Sequence, residues 1–508
     1  MKNIKIILLI FTGLTLSSIS CTKYLDRQPI SQATEQNFYR NTNEVETGVI
    51  GAYSSLQDVY NREYVLAGLR SDDSYISQAD GDINQIDGFK EITTNSYLED
   101  YWERAYFSIK QCNTVLKYLN NVTDPIKKRY FEAEVKFIRA HMYFNLVRFF
   151  GDVPLVTKSV EYNDTSTFRR IPKSIVYAQI VSDFKIAKDS LPEIWDAYQV
   201  ARVTNRAAKG MLAKVYLTLA TDSIVNNNNG AVYYDSSKAL LLDVLNNPGQ
   251  YQLLPDYSRV FGLANEMNNE IMYAVRYQSY ANGNGNEFYW NMDNRPGSHG
   301  FKAAIDFRGT TPFPTADSIR KKSTFILYPS TTGSTSYYCG QKYLDKLSLK
   351  YDAGSDFTVL RFADIIMMYA EVENEINGNT PLTAADATNP QSRLYQLNRI
   401  RARAAGTVPA AVPVYAYNSP VVNSQSTFRT TIKQERRREF GVEDQRYFDL
   451  LRWGWKEFST NINTHLTAIK AINQLNTDGH QMLYPIPQTQ IDLASGYGVN
   501  LAQNPGYF

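Results

Sequence analysis

Residues 123–156 read TDPIKKRYFEAEVKFIRAHMYFNLVRFFGDVPLV, and this stretch decides the fold. Thr123 or Asp124 offers a side-chain oxygen to the first free amides of a helix, and Pro125 suits its first turn, where no N–H is needed. Gly151 supplies a left-handed stop and Pro154 prevents the helix from resuming. Between them Ala133, Phe137, Ala140, Phe144 and Val147 recur at helical spacing. Val135, Ile138, Met142, Leu146 and Phe149 form a second apolar row beside the first. Only a stripe through Glu132, Lys136 and Arg139 is expected to meet water. A helix apolar around more than half its girth belongs inside a layer of other helices.

Its neighbours in sequence repeat the pattern. One helix is expected over Thr42–Tyr60 and another over Leu98–Leu119, the latter forming an αα-hairpin with the central helix. Ile175–Ser190, a helix capped by Thr204 with Ala208, Leu212, Val215 and Leu219 on one face, and Asp235–Leu245 continue the pairing. The fold class is therefore mainly α, with tetratricopeptide-like helix pairs but no strict repeat of about 34 residues. Residues 68–96, rich in Asp, Asn, Gly and Ser, read as a long surface loop. Residues 251–356 lose helical periodicity, and an irregular insertion of that length in a helical protein points to function. Helical patterns return over Phe357–Ile376, Gln391–Ala405, Phe428–Phe440 and Gln445–Phe458, before a tail of turns.

Composition narrows the function classes. The 508 residues are 43% hydrophobic and 20% charged, which describes a globular chain with ample core. A net charge of +2 without a long basic run argues against a nucleic-acid partner. The aromatic share of 13% reflects either packing or a surface on which sugar rings stack. Of the three cysteines, Cys112 and Cys339 could form one bridge but read better as buried thiols.

The amino terminus speaks to compartment. Lys2 and Lys5 precede an apolar run from Ile6 to Leu16 and four small or apolar residues, Ser17 to Ser20. Residues 1–20 thus read as a secretory signal too short to span a membrane. Cys21, directly after them, resembles the cysteine of a bacterial lipobox, which implies acylation, palmitate included, and a membrane anchor at Cys21. The polar tether TKYLDRQPISQATEQ follows.

An ordered series of blocks over nearly the whole mature chain resembles the SusD/RagB family of outer-membrane nutrient-binding lipoproteins. The blocks are EAEVKFIRAHMYFNLVRFFGDVPLV at 132–156, RVTNRAAKGMLAKVYL at 202–217 and LRFADIIMMYAEVENEI at 360–376. LNRIRARA at 397–404, QERRREFGVEDQRYFDLLRWG at 434–454, YPIPQTQI and QNPGY complete the series. The resemblance implies two regions, 21–250 and 251–508, packed as one compact unit with a loop-rich face. It also implies a partner, a SusC-like TonB-dependent outer-membrane transporter, and a glycan ligand, with a peptide or glycopeptide as the alternative cargo.

Sugar hydroxyls need amide, carboxylate and guanidinium partners, while sugar C–H faces stack on aromatic rings. Two loops carry that mixture: residues 72–89, with Tyr75 and Phe89, and residues 280–301, with Tyr289, Trp290, Asn291 and Arg295. These six are the expected ligand contacts. Catalysis is not expected. HExxH, GxSxG, a phosphate-binding glycine loop and CxxC are all missing, and the four histidines are scattered, so no cofactor or metal is implied either. Glu371, Glu373 and Glu375 raise the runner-up, a glycoside hydrolase, but carboxylates on one helix do not flank a glycosidic bond. Arg361, Glu371 and the arginine-rich stretches 399–403 and 435–438 offer many ion-pair partners. Arg436, Arg437, Arg438 and Glu439, with Glu443 and Arg446, are expected to form a network knitting the last helices together, and His141 to be a hydrogen-bonded core residue.

Overall fold

The computed structural model describes residues 38–76, 81–160, 164–196, 198–279, 284–287, 301–303, 313–314, 317–328, 337–343, 352–406, 415–469 and 474–507. Residues 1–20, expected as a signal, and Cys21, together with Tyr289, Trp290, Asn291 and Arg295, lie outside them.

The central helix runs Pro125–Phe150, with Asp124 accepting from the amides of Ile126 and Lys127 and Gly151 turning at φ 73°. From Phe131 to Phe150 only Glu132 and Lys136 escape full burial. Arg139, expected in the solvated stripe, is buried: its guanidinium forks onto Asp183 at 2.8 and 2.9 Å. The neighbouring helix supplies the counter-charge, a pairing that periodicity cannot show. His141 holds the hydroxyls of Tyr60 and Tyr273 at 2.9 and 3.1 Å, and burial, reinforced by Arg148 and Lys214, lowers its pKa to about 3. Cys112 is a buried free thiol.

In chain order the helices are α1 (Thr42–Gly68), α2 (Gly81–Asp87), α3 (Ser96–Tyr118), α4 (Pro125–Phe150), α5 (Lys173–Ser190), α6 (Asn205–Thr221) and α7 (Gly230–Asn246). After the irregular region come α8 (Ser318–Thr324), α9 (Phe362–Asn377), α10 (Arg393–Ala404), α11 (Gln425–Phe440), α12 (Arg446–Trp453), α13 (Trp455–Ala468) and α14 (Gln488–Gly496). Each helix of the series α1, α3, α4, α5, α6, α7 packs on the next, and α9 closes the row against α7, with α10 and α11 on its other sides. One hydrophobic cluster runs through the layers from Tyr39 to Leu501, so both halves of the chain share a core.

Among the described residues six short strands form three antiparallel pairs: β1 (Ser74–Ile76) with β3 (Phe301–Ala303), β2 (Ile271–Val275) with β6 (Phe357–Arg361), and β4 (Phe325–Tyr328) with β5 (Tyr337–Gly340). Several expectations change here. Phe357–Arg361 is a buried strand rather than the start of a helix, because β2 offers it a ladder and its Thr358 and Val359 favour an extended backbone. The helix expected over Gln445–Phe458 breaks at Gly454, whose φ of 89° and ψ of 172° suit only glycine. The supposed surface loop 68–96 is largely interior: Leu69 to Asp73 are buried, α2 interrupts the loop, and Asn95 caps α3. Its polar residues serve as ion-pair partners and caps inside the fold. α1 also continues two turns beyond Tyr60.

Candidate ligand-binding cleft

Two anchors bring the expected loops together. β1 and β3 pair residue for residue, Ser74 with Ala303, Tyr75 with Lys302 and Ile76 with Phe301. The end of the 280–301 segment is thereby tied to the 72–89 segment. The other anchor is on α1, where the Asn61 side chain accepts from the Glu287 amide at 3.0 Å and Arg62 pairs with the Glu287 carboxylate at 2.8 Å. Asp100 on α3 holds the same guanidinium at 2.9 Å. Burial alone would lower the Arg62 pKa, but the charges of Glu287 and Asp100 outweigh it and hold the arginine above its ordinary value. Glu287 and Phe301, the described residues on either side of positions 288–300, are thus held by α1 and β1 respectively.

Beside the α1 anchor opens a cleft of about 510 Å³, lined by Gln57, Leu263, Glu266, Arg276, Gln278 and Asn284, among others. Its walls are rigid for local reasons. The Gln57 amide donates to the Arg276 carbonyl at 2.7 Å, and the Tyr277 hydroxyl donates to the Gln57 carbonyl at 2.8 Å, fastening β2 to α1. The Gln278 amide donates to the Asn284 carbonyl at 2.9 Å, and Asn286 bridges to Ala353 in both directions. Arg276 is ion-paired with Asp356 and Glu266 at the cleft wall. Burial raises the Asp356 pKa and Arg276 opposes the rise. Amide, carboxylate and guanidinium groups facing one open space can bond several hydroxyls at once, and the volume falls in the range of small-molecule sites.

Of the six expected contacts, two can be placed. Tyr75 stands half-buried on β1, opposite Lys302. Phe89 is only 4% exposed and lies 4.4 Å beneath the Arg70 guanidinium, with its ring against Phe458. Its ring packs inside the fold, while the residue also borders an open cleft with Lys90, Gln474 and His480. Gln57, Asn61, Arg62, Arg276, Gln278 and Glu287 went unnoticed. They come from three separate stretches, and the one available signal was the polar edge at Gln57 and Asn61, one turn apart on α1.

The acids that suggested hydrolysis are all engaged. Arg452 forks onto Glu371 at 2.5 and 2.7 Å and Trp453 donates to it at 2.9 Å. Lys238 holds Glu373 at 2.5 Å, and Arg429 holds Glu375 at 2.8 and 2.7 Å. Burial would raise the Glu371 pKa, yet Arg452 keeps it below the ordinary value, the opposite of what a general acid needs. Glu63 and Glu134, pushed up to about 7 by burial, lie inside the scaffold on hydrogen bonds to Tyr101 and Asn145 and to Tyr53. Among the described residues no group of three or more His, Cys, Asp and Glu could hold a metal ion.

The residues expected to knit the last helices together are ion-paired, but to partners outside that set, many of them on other elements. Glu439 accepts from Arg361 at 2.8 Å, from Arg320 at 3.0 Å and from Arg403. Glu435 takes Arg320 at 2.7 Å and Arg401 at 3.1 Å, while Glu443 takes Arg361 at 2.8 Å and Lys342 at 2.5 Å.

Comparison with known proteins follows the same lines. The pattern of the SusD family matches residues 321–507, and a second pattern, described as starch-binding associating with outer membrane, matches residues 23–217. SusD-like protein P25 of Formosa agariphila is 23% identical over 88% of this chain and 89% of its own length. A SusD homolog from Bacteroides thetaiotaomicron superposes with a TM-score of 0.75 at 21% identity, over 95% of this chain and 99% of that one. Surface glycan-binding protein A from Bacteroides thetaiotaomicron, solved in complex with laminarihexaose, superposes with a TM-score of 0.70 at 21% identity, over 91% of this chain and 99% of that one.

Proposed function

Since the chain belongs to the SusD/RagB family, we propose that it is a non-catalytic lipoprotein, anchored through Cys21 at the outer-membrane surface, that captures a glycan and hands it to a SusC-like TonB-dependent transporter. The observation that supports glycan capture most is the polar cleft at Gln57, Arg276, Gln278 and Asn284, opening beside Glu287. Phe288, Tyr289 and Trp290, residue types suited to C–H stacking, follow Glu287 directly in sequence. The laminarihexaose held by a relative of the same fold makes a glucan a reasonable first probe. Trp290, Tyr289, Asn291, Arg295 and Tyr75 are the proposed contacts.

The deciding experiment is a glycan array followed by titration calorimetry on the mature chain, with Trp290→Ala alongside. Loss of one stacking contact weakens binding by about 1–3 kcal/mol, taken by analogy with base stacking, while the melting temperature stays put. A retained peptide library member with no retained glycan would replace the ligand by a peptide. A Trp290→Ala chain that melts early but binds normally would move the site elsewhere.

A further inference from the structure

Helix α11 carries three arginines in succession, and consecutive helical residues diverge by about 100°, so the side chains leave in different directions. Arg436 pairs with Asp364 on α9 and Asp449 on α12, both at 2.8 Å. Arg438 leans onto Glu435 of its own helix at 3.4 Å. Arg437 reaches back to the first part of the chain. Its Nε donates to Asp73 at 2.9 Å, and its Nη2 donates to the Asp72 carbonyl at 2.5 Å and pairs with the Asp72 carboxylate at 3.2 Å.

Asp72 and Asp73 are the root of β1. They end a buried turn between α1 and the strand, and Arg446 at the start of α12 grips Asp72 from another side at 2.6 and 3.0 Å. The two arginines flank a turn with left-handed residues at Val442 and Asp444 (φ 58° and 56°). Buried Glu443 between them is fixed by Arg361 and Lys342. β1 in turn pairs with β3, which directly follows residues 288–300. β3 also lies against β5, the partner of β4, and β4 continues straight out of α8. Arg320 of α8 is held by Glu435 and Glu439, which again belong to α11. One helix therefore holds both ends of the β layer on which the ligand segment terminates.

We infer that Arg437 is a positioning residue for the ligand face. It fixes the root of β1, and hence where Tyr75 and the paired strand β3 are presented, without touching ligand itself. The inference rests on the reading of Tyr75 as a glycan contact. A guanidinium that bonds a carboxylate and a carbonyl together sets an angle as well as a distance, which an ammonium does not.

Hydrogen exchange read by mass spectrometry on the mature chain tests this without any ligand. In Arg437→Ala, peptides covering 72–76 and 301–303 are expected to exchange about tenfold faster, while peptides of α4 keep their protection; Arg437→Lys falls between. On laminarihexaose, or whichever array glycan the wild type retains, Kd rises about tenfold in Arg437→Ala and less in Arg437→Lys. Unchanged exchange in β1 and β3, or acceleration spread equally over α4, overturns the inference, as does an unchanged Kd. Should the Ala variant not fold, the Lys variant carries the same comparison. Loosened β1 and β3 in a protein whose wild type retains no glycan would sink the ligand reading while leaving the structural link intact.

Discussion

Glu439→Gln is the most searching perturbation of the scaffold. The side chain is fully buried and sits among three guanidiniums, those of Arg361 at 2.8 Å, Arg320 at 3.0 Å and Arg403. Burial works to raise its pKa, but Arg403, Arg361 and Arg320 together hold it well below the ordinary glutamate range. Glutamine keeps the shape and removes the charge, leaving the arginines to Glu270, Glu435, Glu443 and Asp317. Breaking one side of a buried pair costs about 3–5 kcal/mol. Unfolding entropy is about 2.1 cal/mol/K per residue, so this chain of 508 residues changes by about 1 kcal/mol per degree and the melting temperature should fall by about 3–5 °C. The sign with pH follows from the depressed pKa. Glu439 contributes its stability above the unfolded carboxyl pKa and loses it as pH falls through the lower folded value. The variant should therefore lose less stability than wild type on acidification, and the gap between the two should narrow toward pH 2. Scanning calorimetry from pH 7 downward measures both effects. A variant melting within a degree of wild type at pH 7 would mean that the remaining acids suffice and that Glu439 is no keystone.

Glu63 behaves in the opposite sense. Burial pushes its pKa up to about 7, so its penalty appears as pH rises from the ordinary glutamate range through neutrality; Glu63→Gln should gain on wild type at pH 8 relative to pH 5, and equal melting shifts at both pH values would refute this. Gly454→Ala should lower the urea midpoint by an amount equivalent to about 1–3 kcal/mol, the cost of a side chain in that backbone region, although the space beside it is open. Cys21→Ala should leave the outer-membrane fraction when the transporter partner is deleted; a variant still pelleting with membranes would remove the anchor assignment. Pull-down from mild detergent should recover a barrel protein with the wild-type chain, and recovery of the chain alone at native expression would count against the partnership.

Much of the helical scaffold was legible because its signals are local. Asp124, Pro125 and Gly151 mark the ends of α4, and Thr204 marks the start of α6 by accepting from the Ala207 amide. What stayed hidden depends on partners distant in the chain. Arg139 looked solvated because Asp183 lies 44 residues away, and residues 68–73 looked like loop because Arg437 and Arg446 lie more than 360 residues away. Phe357–Arg361 carried a helix-compatible pattern until β2 was there to pair with it. The candidate cleft is hidden for the same reason: Gln57, Arg276 and Asn284 share no motif and no spacing, and hydrogen bonds joining the end of β2 to α1, with the Gln278–Asn284 bond, bring them to one opening. In such a design the helices follow a local rule, while the polar groups at the candidate cleft come from separate stretches. The ion pairs that join those stretches then become the points at which a scaffold substitution reaches the ligand, which is why Arg437, far from the cleft in sequence, is the residue whose replacement should be felt at β3.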